Sequence, residues 1–278
     1  MEFYKNQYPI DWLCKVLEIT RQAYYKWTKR DKPAYEIKNE RVLEQIKEWY
    51  FFTDLTFGYR RIQEHINKYT GSNHSLNYIY RLSDAYQIKA IIRRKKPGHV
   101  KHTPEQIGEN ILSRNFGSEQ PNQKWLSDVT EFKISTGQKL YMCAIMDLYD
   151  NSIISYELST SNNNALVFST FKKAIKKYPN AKPIFHSDRG YQYTSKKFKQ
   201  MLDKQGMIQS MSRVGKCIDN GPIENLWGII KTEMFYINKF DSIIKLRKAI
   251  HKYIKFYNNI RLQSKLKSHS PMEYRHMA

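Results

Sequence analysis

The sequence has no apolar run approaching the roughly 18 residues of a membrane-spanning helix. Its N-terminus, Met1-Glu-Phe-Tyr-Lys-Asn, lacks an apolar stretch followed by a small-residue cleavage site, so neither export nor membrane insertion is expected. Cysteine is scarce. Cys14, Cys143 and Cys217 are scattered, odd in number and never spaced CxxC, which argues against a disulfide framework or a thiolate zinc cage and fits a reducing compartment. His99 and His102 have HxxH spacing without a cysteine pair, and read as part of a solvated basic linker rather than a zinc site. There is no internal repeat, low-complexity tract or sustained heptad pattern. Acidic residues are the largest deficit: 26 Asp and Glu stand against 47 Lys and Arg in 278 residues, for a formal charge of +21. A 41% hydrophobic and 14% aromatic content is ample for a folded core.

The excess charge is unevenly placed. Residues 1–104 carry +9, residues 105–230 only +4, and residues 231–278 carry +8. The preponderance of Lys (33) over Arg (14) fits an AT-rich genome, but codon bias does not by itself concentrate charge on the flanks. This distribution points to ends that bind a polyanion, nucleic acid above all, around a less charged centre.

Residues 1–32 read as two short helices. Trp12, Leu13, Val16 and Leu17 have helical spacing, Thr20 is the expected N-cap of the second helix, and Arg21, Gln22 and Lys26 would face a DNA groove in a helix-turn-helix arrangement. Residues 33–92 repeat the theme with a helix over Ile37–Tyr50, a break at Gly58, a helix to Tyr69 that carries Arg60 and Arg61, and a helix capped by Ser75. Residues 93–120 are assigned as a linker, in which Arg93, Arg94, Lys95 and Lys96 are expected to lie along phosphates.

From about residue 121 the period becomes strand-like. Strands are expected over Lys124–Ile134, Leu140–Met146 and Ile153–Leu158, with turns at Gly137 and Asp150-Asn151. A helix (Asn164–Tyr178), a strand (Pro183–Ser187), a helix (Ser195–Gln205), a strand (Met207–Ser212), a flexible segment (Arg213–Pro222) and a helix (Ile223–Glu233) follow. That order predicts an α/β layer fold over 121–234 with a mixed sheet. A tail over 235–278 contains an amphipathic helix at 241–260.

Three carboxylates fall where such a fold gathers side chains: Asp128 in mid-strand, Asp188 at the carboxyl end of a neighbouring strand, and Glu224 in the first turn of a helix packed across the sheet. Phosphodiester chemistry uses hard oxygen ligands for Mg²⁺, and two ions about 3.5–4 Å apart can serve the attacking and leaving oxygens. Singly, an Asp at a strand end or a Glu in a first helical turn is more often a cap or dipole partner. A carboxylate within an apolar strand is costly unless paired or metal-bound, which favours Asp128. The 35 residues between Asp188 and Glu224 carry little by themselves, and Asp147 and Asp219 read as turn residues.

The surrounding blocks discriminate. Trp125-Leu-Ser-Asp-Val-Thr130, His186-Ser-Asp-Arg-Gly-Tyr-Gln-Tyr193 and Asp219-Asn-Gly-Pro-Ile-Glu-Asn-Leu-Trp-Gly-Ile-Ile-Lys231 resemble the integrase core of bacterial insertion-sequence transposases of the IS-three group, the product of the second reading frame (OrfB). The likeness extends to the opening Tyr8–Trp27, to Thr56-Phe-Gly-Tyr-Arg-Arg-Ile62, to Tyr257-Asn-Asn-Ile-Arg261 and to Ser270-Pro-Met-Glu-Tyr274. It implies a ribonuclease-H-like (retroviral-integrase-like) core with an α-helical N-terminal DNA-binding region and a helical C-terminal tail. It also implies a DDE mechanism in which Asp128, Asp188 and Glu224 bind two Mg²⁺ (or Mn²⁺), hydrolysis frees a 3′-hydroxyl at the element's end, and that hydroxyl attacks a second phosphodiester in line. Lys231, seven residues after Glu224 on the same helix face, would position terminal DNA, with His186, Gln192 and Asn220 as supporting residues. The implied partners are double-stranded DNA (terminal inverted repeats and target), further copies of this chain on DNA, and the upstream-frame protein OrfA or a frameshift fusion with it. The implied setting is the bacterial cytoplasm at the nucleoid. A catalytically inactive DNA-binding repressor from a decayed element is the competing reading, although decay would be expected to lose one of the three acids. A cellular ribonuclease H would need neither the long basic helical region nor the Lys231 offset.

Overall fold

The computed structural model describes residues 4–91, 111–112, 115–213 and 217–278. The basic run Arg93–Lys96, together with His99 and His102, lies outside them. Two short helices, α1 (Ile10–Val16) and α2 (Arg21–Lys29), open the chain, and the Thr20 hydroxyl accepts from the Ala23 amide as the α2 N-cap. A three-helix unit follows: α3 (Ala34–Phe52), α4 (Tyr59–Thr70) and α5 (Leu76–Ala85). It encloses its own small core of Val42, Ile46, Phe57, Ile62, Ile66 and Ile79.

The sheet contains β1 (Lys124–Lys133), β2 (Lys139–Asp147), β3 (Ile153–Ser159), β4 (Ile184–Ser187) and β5 (Ile208–Met211) in the order β3-β2-β1-β4-β5. β1, β2 and β3 pair antiparallel, whereas β4 runs parallel to both β1 and β5, so the sheet is mixed as expected. Gly137 supplies the positive φ (85°) of the first hairpin and Asn151 that of the second (58°).

Both faces are covered. Helices α6 (Asn164–Lys177) and α7 (Lys196–Lys204) enclose Trp125, Cys143, Ile145 and Phe185 on one face. Helix α8 (Gly221–Ile230) and the tail helix α9 (Ile243–Asn259) enclose Leu126, Phe132, Leu140 and Met142 on the other. β1 is therefore buried from both sides over Trp125–Ser127, which an alternating pattern alone does not reveal.

Three departures from expectation have local causes. The segment before α8 is not loose in its second half, because Cys217–Asn220 forms a 3₁₀ turn and Asp219 is fully buried. The helix begun by α8 does not continue regularly: Lys231–Phe235 is a π-helical turn, closed by the Tyr236 amide donating to the Lys231 carbonyl at 2.8 Å. The tail also ends in α10 (Pro271–Arg275), stopped at its start by a Ser270/Glu273 capping box.

Candidate active site

Asp128 sits at the centre of β1, opposite Ala144 of β2. It shares a strand face with Leu126 and Phe132, the face against which α8 packs. Two donors fix its carboxylate: the Val129 amide reaches Oδ1 at 2.8 Å and the Trp227 indole of α8 reaches Oδ2 at 2.9 Å. Glu224 lies three residues before Trp227, on the same side of α8. Asp188 follows the last residue of β4, whose Ser187 is in register with Ser127 of β1. Parallel pairing thus delivers Asp188 beside Asp128.

Asp188 is held by a tight turn, in which the Gly190 amide donates to Oδ1 at 2.9 Å. A β-carbon at Gly190 would meet Gln192 Oε1 at 2.9 Å and Asp188 Oδ1 at 3.0 Å, so the backbone approaches closer than any side chain permits. Gln192 is buried and donates to Asn162 Oδ1 at 2.6 Å, and the Tyr191 hydroxyl donates to the Asn162 carbonyl, which ties this turn to the β3–α6 loop.

The acids act on each other. Burial pushes the Asp128 carboxyl up to about 7, helped by the negative charge of Asp188 and then of Glu224, against the pull of the Trp227 and Val129 donors. Burial also raises Asp188. The cation Lys231 stands at the end of α8, its Nζ 5.6 Å from the Phe132 ring centroid; burial lowers its pKa while Asp128 and then Glu131 draw it back up. Among the described residues no group of three or more His, Cys, Asp and Glu side chains is arranged to hold a metal ion. The donor set still fits a hard divalent cation. It offers carboxylate oxygens, and the nearby imidazole of His186 is engaged through both nitrogens, with Ser210 Oγ at 2.8 Å and Ser212 Oγ at 3.2 Å.

The remaining residues anticipated from the sequence separate into groups. His186 is fully buried, its pKa lowered to about 4 by desolvation, and it braces β4 against β5 and the residues preceding α8 rather than facing solvent. Asn220 is buried immediately before α8. Of the expected DNA contacts, Arg21 forms an exposed ion pair with Asp11 at 2.9 Å, Gln22 and Lys26 are exposed on α2, and the exposed Arg60 lies 5.0 Å over the Tyr59 ring. Arg61 has a further engagement: it pairs with the buried Glu233 carboxylate at 2.7 Å while its own side chain stays 37% exposed. Asp147 and Asp219 are likewise not simple turn residues. Both are fully buried, Asp147 receiving Arg275 at 2.9 Å and Asp219 receiving Arg213 at 2.9 Å. Trp227, the donor to Asp128, escaped sequence reading because an apolar helix position gives no sign of where its indole N–H points.

Comparison with known proteins agrees with this architecture. Integrase core domain families match residues 118–217 and 224–278. The chain is 36% identical over 270 residues to InsK of insertion sequence element IS150 from Escherichia coli (strain K12), an alignment covering 96% of this chain and 94% of InsK. It is 43% identical over 182 residues to a transposase-like protein of Haemophilus influenzae, covering 66% of this chain and 82% of that protein. Among solved structures, the simian T-cell lymphotropic virus intasome bound to PP2A regulatory subunit B56 gamma superposes with a TM-score of 0.50 at 15% identity, over 77% of this chain and 74% of that one, which supports a ribonuclease-H-like integrase fold. The chain belongs to the integrase-core transposases of bacterial insertion sequences, the group of IS150 and IS3, enzymes that transpose DNA by DDE-type chemistry.

Proposed function

We propose that Asp128, Asp188 and Glu224 are the acidic trio of this transposase, that together they hold two Mg²⁺ (or Mn²⁺), and that Lys231 holds the element's terminal DNA beside them. The observation that carries the reading is the state of Asp128: a desolvated carboxyl, pushed up to about 7, with two further acids adding to its charge. Such an arrangement is costly unless cations neutralise it. Bound divalent ions would supply the activation of the attacking oxygen and the stabilisation of the leaving oxygen.

The protein's own residues do the positioning. Val129 and Trp227 fix both oxygens of Asp128, Gly190 fixes one oxygen of Asp188, and the first turn of α8 presents Glu224 on an exposed surface where DNA can approach. Lys231, at the far end of the same helix, brings a partly desolvated ammonium to the acidic edge, placed to meet a phosphate. No covalent enzyme–DNA bond is required, so no Ser or Tyr nucleophile is assigned.

The partners are the terminal inverted repeats and target DNA. Arg21, Gln22, Lys26, Arg60 and the run Arg93, Arg94, Lys95 and Lys96 are the proposed DNA contacts, within a division into residues 1–32, 33–92, 93–120, 121–234 and 235–278. The enzyme would act as a homo-oligomer on DNA, with OrfA or a fusion to it, at the bacterial nucleoid in the cytoplasm; among the described residues no helix is long and apolar enough to cross a membrane. The decisive experiment is Asp188→Asn. Divalent-dependent strand joining is expected to vanish while binding to a terminal DNA fragment persists, and joined product at the unsubstituted level would overturn the assignment.

A further inference from the structure

The π-helical turn Lys231–Phe235 is a break in helical regularity placed at the proposed DNA-positioning lysine; such turns are frequent at functional sites, and this one has a local anchor. The anchor is Glu233. Its side chain is 9% exposed and accepts from Arg261 Nε at 2.9 Å and Nη2 at 2.8 Å, from the Tyr253 hydroxyl at 2.6 Å and from Arg61 Nη1 at 2.7 Å. Arg261 and Tyr253 come from the tail. Arg61 comes from α4, in the separate three-helix unit, 172 residues away in sequence. The rest of the inward face of α4 is engaged with the tail as well: Lys68 pairs with Glu273 at 2.7 Å and donates to the Ser268 carbonyl at 3.1 Å, and Glu64 accepts from the Ser264 hydroxyl at 3.0 Å. Helix α4 is therefore docked on the tail through this face.

We propose that Glu233 is a positioning residue that sets Lys231 at the acidic site through the π turn, and that Arg61 completes this anchor only while the helical unit is docked, making the helical unit part of the catalytic apparatus. Lys231 is two residues from Glu233 on the same turn, and its amine is held between the Phe132 ring and the field of Asp128. A shift of about 1 Å in a positioning group is enough to slow chemistry about a hundredfold. Arg61 thus contributes to turnover at assembled DNA ends without touching the DNA.

The inference rests on the Lys231 assignment above, and the test separates the two. Arg61→Ala, Lys231→Ala and the double variant are made in the full chain, and each is assayed well below its melting temperature on double-stranded DNA carrying the element's terminus. End-binding affinity is measured across a salt series, and the single-turnover joining rate is measured at saturating DNA. Arg61→Ala is expected to slow joining about tenfold with affinity and salt slope unchanged, and to add no further loss to Lys231→Ala, because both act through one group. A merely structural arginine would multiply the two losses. A weaker affinity with a salt slope smaller by about one would make Arg61 a phosphate ligand and overturn the inference, as would an unaltered joining rate. If Lys231→Ala joins normally, the Lys231 assignment falls and this inference with it; slow joining by Lys231→Ala with multiplied losses in the double variant overturns the inference alone.

Discussion

Asp128 and Glu233 are both carboxylates withdrawn from water near α8, and the fold treats them in opposite ways. Around Glu233 it collects two guanidinium groups and a phenol, and the carboxyl is lowered to about 2, chiefly by its bonds and charge attraction to Arg261 working against desolvation. At Asp128 burial, reinforced by the charges of Asp188 and then Glu224, raises the carboxyl to about 7 against the pull of the Trp227 and Val129 donors. Burial is similar, so the neighbours decide the outcome. A saturated buried carboxylate joins elements together, as Glu233 does for the helical unit, the π turn and the tail. A buried carboxylate surrounded by its own charge is a region of stored electrostatic cost, which the proposed cations would offset.

The sharpest way to break this contrast is Asp128→Asn. Strand joining is expected to fall on the order of a thousandfold or more. Melting of the divalent-free protein should rise by roughly 2–8 °C, because an unfavourable charge is removed at little cost in shape. A lower melting temperature would mean that Asp128 stabilises the fold and that the contrast is wrong.

Glu233→Ala should act in the other direction. Removing one partner leaves Arg261, only 5% exposed, without its counter-charge. The expected cost is about 3–5 kcal/mol, read as a drop of roughly 10 °C in a thermal melt. A loss below about 1 kcal/mol would show that the network is ornamental to the fold.

Acid titration of these two variants separates them further. The Glu233 carboxyl is depressed on folding, so its contribution is present above its unfolded pKa of 4.5 and is lost as pH falls toward 2. The deficit of Glu233→Ala against the unsubstituted protein should accordingly shrink over that window. The Asp128 carboxyl is raised on folding, so its protonation stabilises the fold as pH falls from about 7 toward 3.8, and the advantage of Asp128→Asn should fade over that range. Denaturant melts at pH 8, 5 and 3 measure both, and parallel curves at all three would defeat the electrostatic account. His65 and His186, each lowered to about 4 chiefly by burial, add a loss of stability between pH 6.5 and 4 that is common to every variant.

The smallest effect is expected at Gly190→Ala. A methyl group there must displace either Gln192 Oε1 or the Asp188 carboxylate, both within 3.0 Å of its position. A tenfold slower joining rate with a melting temperature within a few degrees of the unsubstituted protein is the expected result. Unchanged joining would show that Asp188 tolerates displacement.

Much of the architecture was legible in the sequence because its signals are local. The Thr20 and Ser75 caps, the Gly137 and Asn151 turns and the change from helical to alternating periodicity near residue 121 each depend on a few neighbouring residues, and each appears where expected. Two boundaries shifted: α3 extends to Phe52, and the α8 helix widens at Lys231, next to the Glu233 carboxylate that Arg61 and Arg261 hold. The ion pairs of Arg61 and Asp147 were not legible for a common reason. A charged residue in a sequence looks like surface, and whether these two meet a counter-charge depends on residues far along the chain, whereas Asp219 is buried with its near neighbour Arg213. Arg61 finds Glu233, and Asp147 finds Arg275, across separations of 172 and 128 residues.

The amino-acid order by itself determined the elements, their sequence along the chain and the three acidic blocks whose family resemblance proved correct, since backbone preference and side-chain periodicity act over one or two turns of chain. Only the folded chain decided which acids share a field, which arginines are spent on buried carboxylates, and that α4 docks on the tail. Those outcomes follow from burial and from Coulomb attraction and repulsion between groups that only folding brings within reach of one another.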